Sequence, residues 1–342
     1  MKPLPPVATL IVLFFGLLGL SALSLSVGAM SVPTQDLLQV LMGQASDAQT
    51  QILLFEIRVP RLLLGLLVGA ALAISGAAMQ GLFRNPLADP GLVGVSSGAA
   101  LAAVTVIVLG QTFLAQWTQA LGYFALPLAA FLGGLVVTWL IYLISTRNGR
   151  TDVALMLLSG IAINAIAGAL TGVLTYVADD AQLRTLTFWT MGSIASASWT
   201  DLAMVALPIV VTLGLFPLYA RGLNAFLMGE NVSAHIGIAV KRLKWVTITL
   251  TALAVGAAVS VSGVIGFVGL VAPHIVRLIL GPDHRWVLPG SALMGAALVV
   301  ASDMLARSLI APAELPIGII MSALGGPFFL WLLIQRRSRV GL

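Results

Sequence analysis

The sequence predicts an all-α polytopic membrane protein, with ten transmembrane helices arranged as an inverted-topology internal repeat. Three observations carry that prediction: composition, the length of the apolar runs, and a motif that returns 187 residues later. Of 342 residues, 59% are hydrophobic and only 8% charged, with mean hydropathy +1.07. A soluble domain carries roughly a quarter charged residues, so this chain cannot cover a water-facing surface. A spanning helix takes about 20 apolar residues, and about ten would use most of the chain. Runs such as 62–74, LLLGLLVGAALAI, do not alternate polar and apolar, which argues against a β-barrel. There are no cysteines, so disulfides, thiolate catalysis and Cys-ligated metals are excluded. The sequence pI of about 10.1 would suggest nucleic acid in a soluble protein. Here the net charge of +5 is assigned to membrane boundaries, and no nucleic-acid partner is expected.

Taken in order, the first apolar run covers 7–28. At about 22 residues it is longer than a usual signal-peptide core, so it is read as helix 1 rather than a cleaved leader. Nine more runs follow near 62–82, 92–110, 123–145, 153–175, 198–219, 243–262, 264–280, 286–308 and 316–335. With the amino terminus inside, thirteen basic residues fall on the cytoplasmic side: Lys2, Arg84, Arg147, Arg150, Arg221, Lys241, Arg242, Lys244, Arg277, Arg285, Arg336, Arg337 and Arg339. Only Arg58, Arg61, Arg184 and Arg307 stay outside, which accounts for all 17. The positive-inside rule then places both termini in the cytoplasm.

VGAALAISG at 68–76 returns as VGAAVSVSG at 255–263, and the same offset carries Pro86 onto Pro273. LPLAAFLGG from Leu126 is echoed by LPGSALMGA from Leu288. The first copy begins on helix 2 and the second on helix 7, which cross in opposite directions. Inverted repeats are a transporter signature, with the path between the halves. Gly65/Gly69, Gly94/Gly98 and Gly168/Gly172 form GxxxG steps that permit close helix approach.

No phosphate-binding G-x-x-x-x-G-K-[ST] loop is present, and His235, His274 and His284 lie at no metal-ligand spacing. No metal site and no catalytic residue is expected. Asp303 is the one carboxylate well inside a predicted span. It is read as a pair with Arg307, one helical turn on, in preference to a proton relay. Residues 221–244 interrupt the apolar pattern for long enough to form two short helices. Gly229 caps the first, and Asn231 or Ser233 starts the second. Leu223, Phe226, Leu227, Ile236 and Ile238 give this cytoplasmic piece apolar knobs suited to a docking surface, the alternative being an interfacial helix.

FEIRVPRLL at 55–63, SGAAMQGLFRNPLADPGLVGVSSGA at 75–99, GFVGLVAPHIVR at 266–277 and ELPIGIIMSALGGPFFLWLL at 314–333 resemble the FecCD-type permeases. These are the membrane subunits of binding-protein-dependent ABC importers for iron-siderophores, cobalamin and haem. DDAQLRTLTFWTMGSIA at 179–195 is similar to the haem members in particular. The resemblance implies a single permease domain over 1–342, a homodimer in the bacterial inner membrane, two cytoplasmic ABC ATPase subunits and a periplasmic substrate-binding protein. ATP would be hydrolysed in the partner. Haem would be the transported substrate, in preference to a siderophore or cobalamin, and no cofactor would be held permanently. The same resemblance assigns roles to residues. Arg58, Arg61 and Arg307 would dock the binding protein. Residues 222–240 would form coupling helices, with Leu227, Gly229 and Glu230 facing the ATPase. Asn85, Pro86 and Leu87, with the loop 147–152, would close the cytoplasmic gate. The role of Arg184 comes from chemistry and not from the resemblance. This fourth outside arginine, with Tyr176 and Met191, would line the outer mouth of the path, since a cation amid aromatic and thioether side chains suits haem carboxylates, unless Arg184 pairs instead with Asp179 or Asp180.

Overall fold

A computed structural model of the chain describes residues 5–28, 33, 48–147 and 150–340, without the side chains of Arg150, Leu333 and residues 335–340. Helix α1 is Pro6–Ser26, and α2 is Ala48–Phe83, with a π turn over Leu53–Arg58. Then come α3 (Val95–Leu109), α4 (Ala125–Ser145), α5 (Val153–Val177) and α6 (Asp180–Met191). The second half holds α7 (Trp199–Leu215), the short α8 (Ala220–Leu227) and α9 (Glu230–His235), then α10 (Val240–Ser262). Helices α11 (Val268–Leu280), α12 (His284–Ala306) and α13 (Ile317–Val340) complete it. Each predicted apolar run coincides with one of these helices; α6, α8 and α9 lie between runs.

Among the described residues, seven helical stretches are long and apolar enough to cross a membrane, while α3, α11 and the Ile317–Leu332 part of α13 are shorter. At 1.5 Å per residue, α11 is only about 20 Å long against a hydrocarbon core of about 30 Å. Its shortness comes from a break that the uniformly apolar run conceals. Helix α10 stops at Gly263, whose φ is +65°, and α11 starts after Phe267, a left-handed non-glycine residue at φ +66°. A Cβ on Gly263 would lie 2.0 Å from the Trp189 carbonyl oxygen, so only glycine fits there. The freed backbone is paired inside the protein: Ser193 N donates to Ser262 O at 2.8 Å. Irregular backbone at membrane depth is tolerated only under such cover.

The two halves exchange partners. Helix α2 packs against α12 and α11, and α10 packs against α4 and α3. Both main crossings are antiparallel. At the first, Gly69 meets Gly295 backbone to backbone, where a Cβ would sit 2.3 Å from the Gly295 oxygen. At the second, Gly256, the counterpart of Gly69, faces the ring of Phe131, to which an added Cβ would come within 3.3 Å, so this crossing is wider and filled by a side chain. The repeat does not extend as far as its offset suggested. Ser75–Gly76 lie within α2, whereas Ser262–Gly263 end α10. In consequence Pro86 stands in a loop while Pro273 is inside α11. Gly65 and Gly94/Gly98 pack tightly against neighbours, but Gly168 and Gly172 on α5 face nothing within 4 Å among the described residues.

Candidate functional site

Charged side chains gather at the two ends of the bundle. At one end α1, α2 and α12 converge. Arg61, on the first turns of α2 after the π segment, holds Asp303 Oδ1 through Nε at 2.9 Å and Nη2 at 2.8 Å. Its other face meets Glu314, with Nη1 to Oε1 at 3.0 Å. The expected Asp303–Arg307 pair exists but is the looser one, at 3.5 Å. Arg307 instead donates to Ser24 Oγ at 2.8 Å and to the Ser24 carbonyl, and Arg58 donates to the Leu25 carbonyl. Two arginines therefore cap the carboxyl end of α1, where carbonyls lack helical partners and the helix dipole favours cations.

The predicted docking arginines are thus brought together, and all three line one recess of about 120 Å³ with Glu314 and Gly28. They are not a displayed surface. Arg58, Arg61 and Arg307 are 5%, 6% and 5% exposed, and each gives donors to the protein itself, although Arg307 Nε has no hydrogen-bond partner among the described residues. An incoming carboxylate would first have to displace Asp303, Glu314 or the α1 carbonyls.

The other end is built around Lys244 on α10. Its ammonium is buried, donates to the Thr151 carbonyl at 2.6 Å, and pairs with Glu230 at 2.7 Å. It also lies 5.7 Å from the centre of the Phe226 ring, while Arg84 sits over the same ring at 5.8 Å. Both distances are within cation–π range. One ammonium thereby joins α8, α9, α10 and the hairpin after α4. That hairpin is a two-stranded ribbon, β1 (Thr146–Arg147) with β2 (Arg150–Thr151), where a plain loop was expected. Residues 148 and 149 of the predicted gate lie outside the described residues. Arg84 ends α2 in a left-handed turn (φ +49°). Asn85, exposed, accepts a bond from Leu87 N at 3.0 Å, and Pro86 and Leu87 are half-buried. A cavity of about 750 Å³ opens here between the end of α2 and the start of α5, with Phe226 and Glu230 on its wall. Of the predicted gate, Thr151 and Asp152 line this cavity with Phe226 and Glu230, whereas Asn85, Pro86 and Leu87 are not among its lining residues.

Two short helices form at 220–235, as expected, but their boundary and faces differ from the expectation. Gly229, at φ +113°, stands immediately before α9, which starts at Glu230 rather than at Asn231 or Ser233. Leu223 and Phe226 are core residues, 0% and 1% exposed, so they are not knobs. The free apolar face is Leu227, Met228, Val232 and Ile236. Glu230 is half exposed and turned back toward Lys244. Asn224 clamps α8 to the α11–α12 loop: its amide donates to Asp283 at 2.6 Å and its oxygen accepts from His284 N at 2.8 Å. Hydrogen bonding from Arg285 and Asn224 lowers the Asp283 carboxyl to about 2, so it stays charged across the physiological range. Lys244 and Asn224 were not singled out from sequence. Nothing in a basic or amide residue at a helix start distinguishes a buried clamp from a solvated one.

Helix α6 lies at the arginine end, opening with an Asp179 capping box, and Gln182 reaches the last turn of α3 at Val108 O, 3.3 Å away. Asp179 is occupied by that cap. No ion pair joins Arg184 to Asp179 or Asp180 among the described residues. Arg184 is exposed, as are Tyr176 (90%), Phe188 and Met191.

A multi-pass helical bundle with broken helices and a cavity beside two short helices is the architecture of a membrane transport protein. The chain belongs to the FecCD transport family, which matches residues 16–335. It is 47% identical to the hemin transport system permease protein HmuU of Yersinia pestis, over 92% of each chain. It is 44% identical to the cobalamin import system permease protein BtuC of Halobacterium salinarum, over 84% of this chain and 75% of that one. With the iron(3+)-hydroxamate import system permease protein FhuG of Bacillus subtilis it shares 35%, over 96% and 97%. A solved structure described as an inward-facing conformation of a metal-chelate type ABC transporter superposes with TM-score 0.84 at 31% identity, covering 96% of this chain and 99% of that one. The protein is therefore a permease subunit of an ABC importer, a membrane component whose ATPase is a separate subunit.

Proposed function

We propose that this permease carries haem inward across the bacterial inner membrane, with both termini in the cytoplasm. The observation that carries the reading is the 47% identity to a hemin permease along 92% of both chains. The exposed face of α6 supports it, since Arg184, with no ion pair among the described residues, shares a helix face with Phe188 and Met191, which suits a flat apolar ligand with carboxylate arms. The working unit is a homodimer with two ATPase subunits and a periplasmic binding protein. Helix α5 is lightly covered, and its Gly168 and Gly172 have nothing opposite them among the described residues, which supports a second copy on that face. The binding protein docks at the recess of Arg58, Arg61 and Arg307, by exchange with their internal partners. The ATPases meet Leu227 and the turn at Gly229. Their closure moves α8 and α9, and through Glu230–Lys244–Thr151 it moves the gate at Asn85–Leu87 and the hairpin.

The test is uptake by proteoliposomes holding the complete importer, with haem, cobalamin and a ferric hydroxamate offered in turn. ATP-dependent accumulation of haem is expected. Accumulation of cobalamin or the hydroxamate in its place would assign the substrate of the 44% or the 35% relative instead.

A further inference from the structure

Outside the α4–α10 crossing runs an apolar groove that the transport reading does not use. Trp139 and Tyr142 of α4, with Trp245, Ile248 and Ala252 of α10, line a cavity of about 370 Å³. A second cavity of about 440 Å³ shares Tyr142 and Trp245 and continues to Lys241 and Arg242. Both basic residues are exposed, and neither enters an ion pair among the described residues. Trp139 and Trp245 are 62% and 51% exposed. Thr138, 2% exposed, lines the same groove, and its Oγ1 has no hydrogen-bond partner among the described residues.

The spacing matches one leaflet. Residues 241, 245, 248 and 252 lie on one face of α10. Eleven rises from Lys241 to Ala252 cover about 16 Å, half of a hydrocarbon core of about 30 Å. The groove therefore runs from a basic, Trp- and Tyr-flanked mouth at the membrane surface to the bilayer midplane. Interfacial aromatics and basic pockets between helices are the chemistry that recognises an acidic head group. We propose that this groove binds an anionic phospholipid. Lys241 and Arg242 hold the phosphate, and one acyl chain lies between Trp139 and Trp245 toward Ala252. A second copy of the chain fits less well, because a two-fold contact through the groove would bring Lys241 and Arg242 against their own copies. The proposal rests on the chain being a multi-pass membrane protein and not on the identity of its cargo.

The complete importer is purified in detergent, equilibrated with equal amounts of phosphatidylglycerol and phosphatidylcholine, and its retained lipid read by native mass spectrometry. The wild type should retain phosphatidylglycerol over phosphatidylcholine by roughly tenfold, a preference within reach of two basic residues at an anionic surface. Lys241→Gln with Arg242→Gln should reduce the ratio to near one. Thr249→Trp, at an exposed position on the groove wall, should do the same with both charges intact. An unchanged melting temperature shows that the variants fold. No preference in the wild type, or a preference surviving the double variant, overturns the proposal. A preference lost to millimolar inorganic phosphate but untouched by Thr249→Trp reduces the site to an anion patch and overturns it. Crosslinking between copies from Trp139→Cys puts the groove in an interface and overturns it too.

Discussion

The two ends of the bundle each hold buried basic side chains, yet they are wired differently. At the α1–α2–α12 end, three guanidiniums face two carboxylates and the last carbonyls of α1, and all the members but Glu314 are almost wholly buried. At the α8–α9–α10 end a single buried ammonium reaches a half-exposed carboxylate on a six-residue helix and a carbonyl on a four-residue ribbon. The first arrangement fixes long helices to one another. The second joins elements too short to hold a conformation alone. Buried charge therefore acts as a lock at one end and as a linkage at the other.

The largest effect expected from this contrast is at the lock. Asp303→Ala leaves Arg61 and Arg307 buried without their shared counter-ion, which costs about 3–5 kcal/mol in comparable sites. The melting temperature and yield of the purified importer should fall sharply. Replacing Arg58, Arg61 and Arg307 together by glutamate should also fail in folding, before docking can be measured. A triple variant that folded normally and lost only binding-protein affinity would show these arginines to be free for docking.

Next is the linkage. Lys244→Met keeps the bulk of the side chain and releases Glu230, which already reaches water. Uptake should drop about tenfold, a coupling loss of ordinary size, while basal ATPase activity and melting temperature change little. A stability loss as large as that of Asp303→Ala would erase the distinction between the two ends. At the free face of the short helices, Leu227→Ala with Val232→Ala should shift stability by no more than about 0.5 kcal/mol, as surface changes do. Co-purification of the ATPase subunit should nonetheless fall severalfold, because exposed apolar anchors carry interfaces.

Much of this architecture is visible in the chain itself. Apolar runs of the right length locate the helices, and the scarcity of charge makes each basic residue informative, so Arg58, Arg61 and Arg307 segregate from Lys244 before any coordinates exist. Asp303 stands out as a carboxylate in an apolar span. What sequence leaves open is set by partners far along the chain or by backbone atoms. Arg61 and Asp303 are 242 residues apart, and the partners of Arg58 and of Arg307 include carbonyls that carry no residue signature. Leu223 and Leu227 are alike in letters; only packing shows that one is core and the other surface. The break at Gly263–Phe267 hides because the flanking runs are equally apolar, and the Trp189 carbonyl that demands glycine at 263 lies 74 residues earlier in the chain.

The smallest effect should come from Arg184, which belongs to neither network. It is exposed on α6, between Tyr176 and Met191 in a region rich in aromatic and thioether surface, and it makes no ion pair with the nearby aspartates among the described residues. Removing it should leave the lock, the hairpin and the coupling helices untouched. If it receives haem carboxylates at the outer mouth, Arg184→Ala should lower uptake severalfold, about what a solvent-exposed charge-assisted hydrogen bond contributes. Binding-protein docking and basal ATPase activity should stay near wild type. Arg184→Lys should recover part of the loss, since an ammonium keeps the charge but not the two-pronged grip of a guanidinium. A parallel loss of docking would make α6 part of the receptor surface, and unchanged uptake would remove Arg184 from the path.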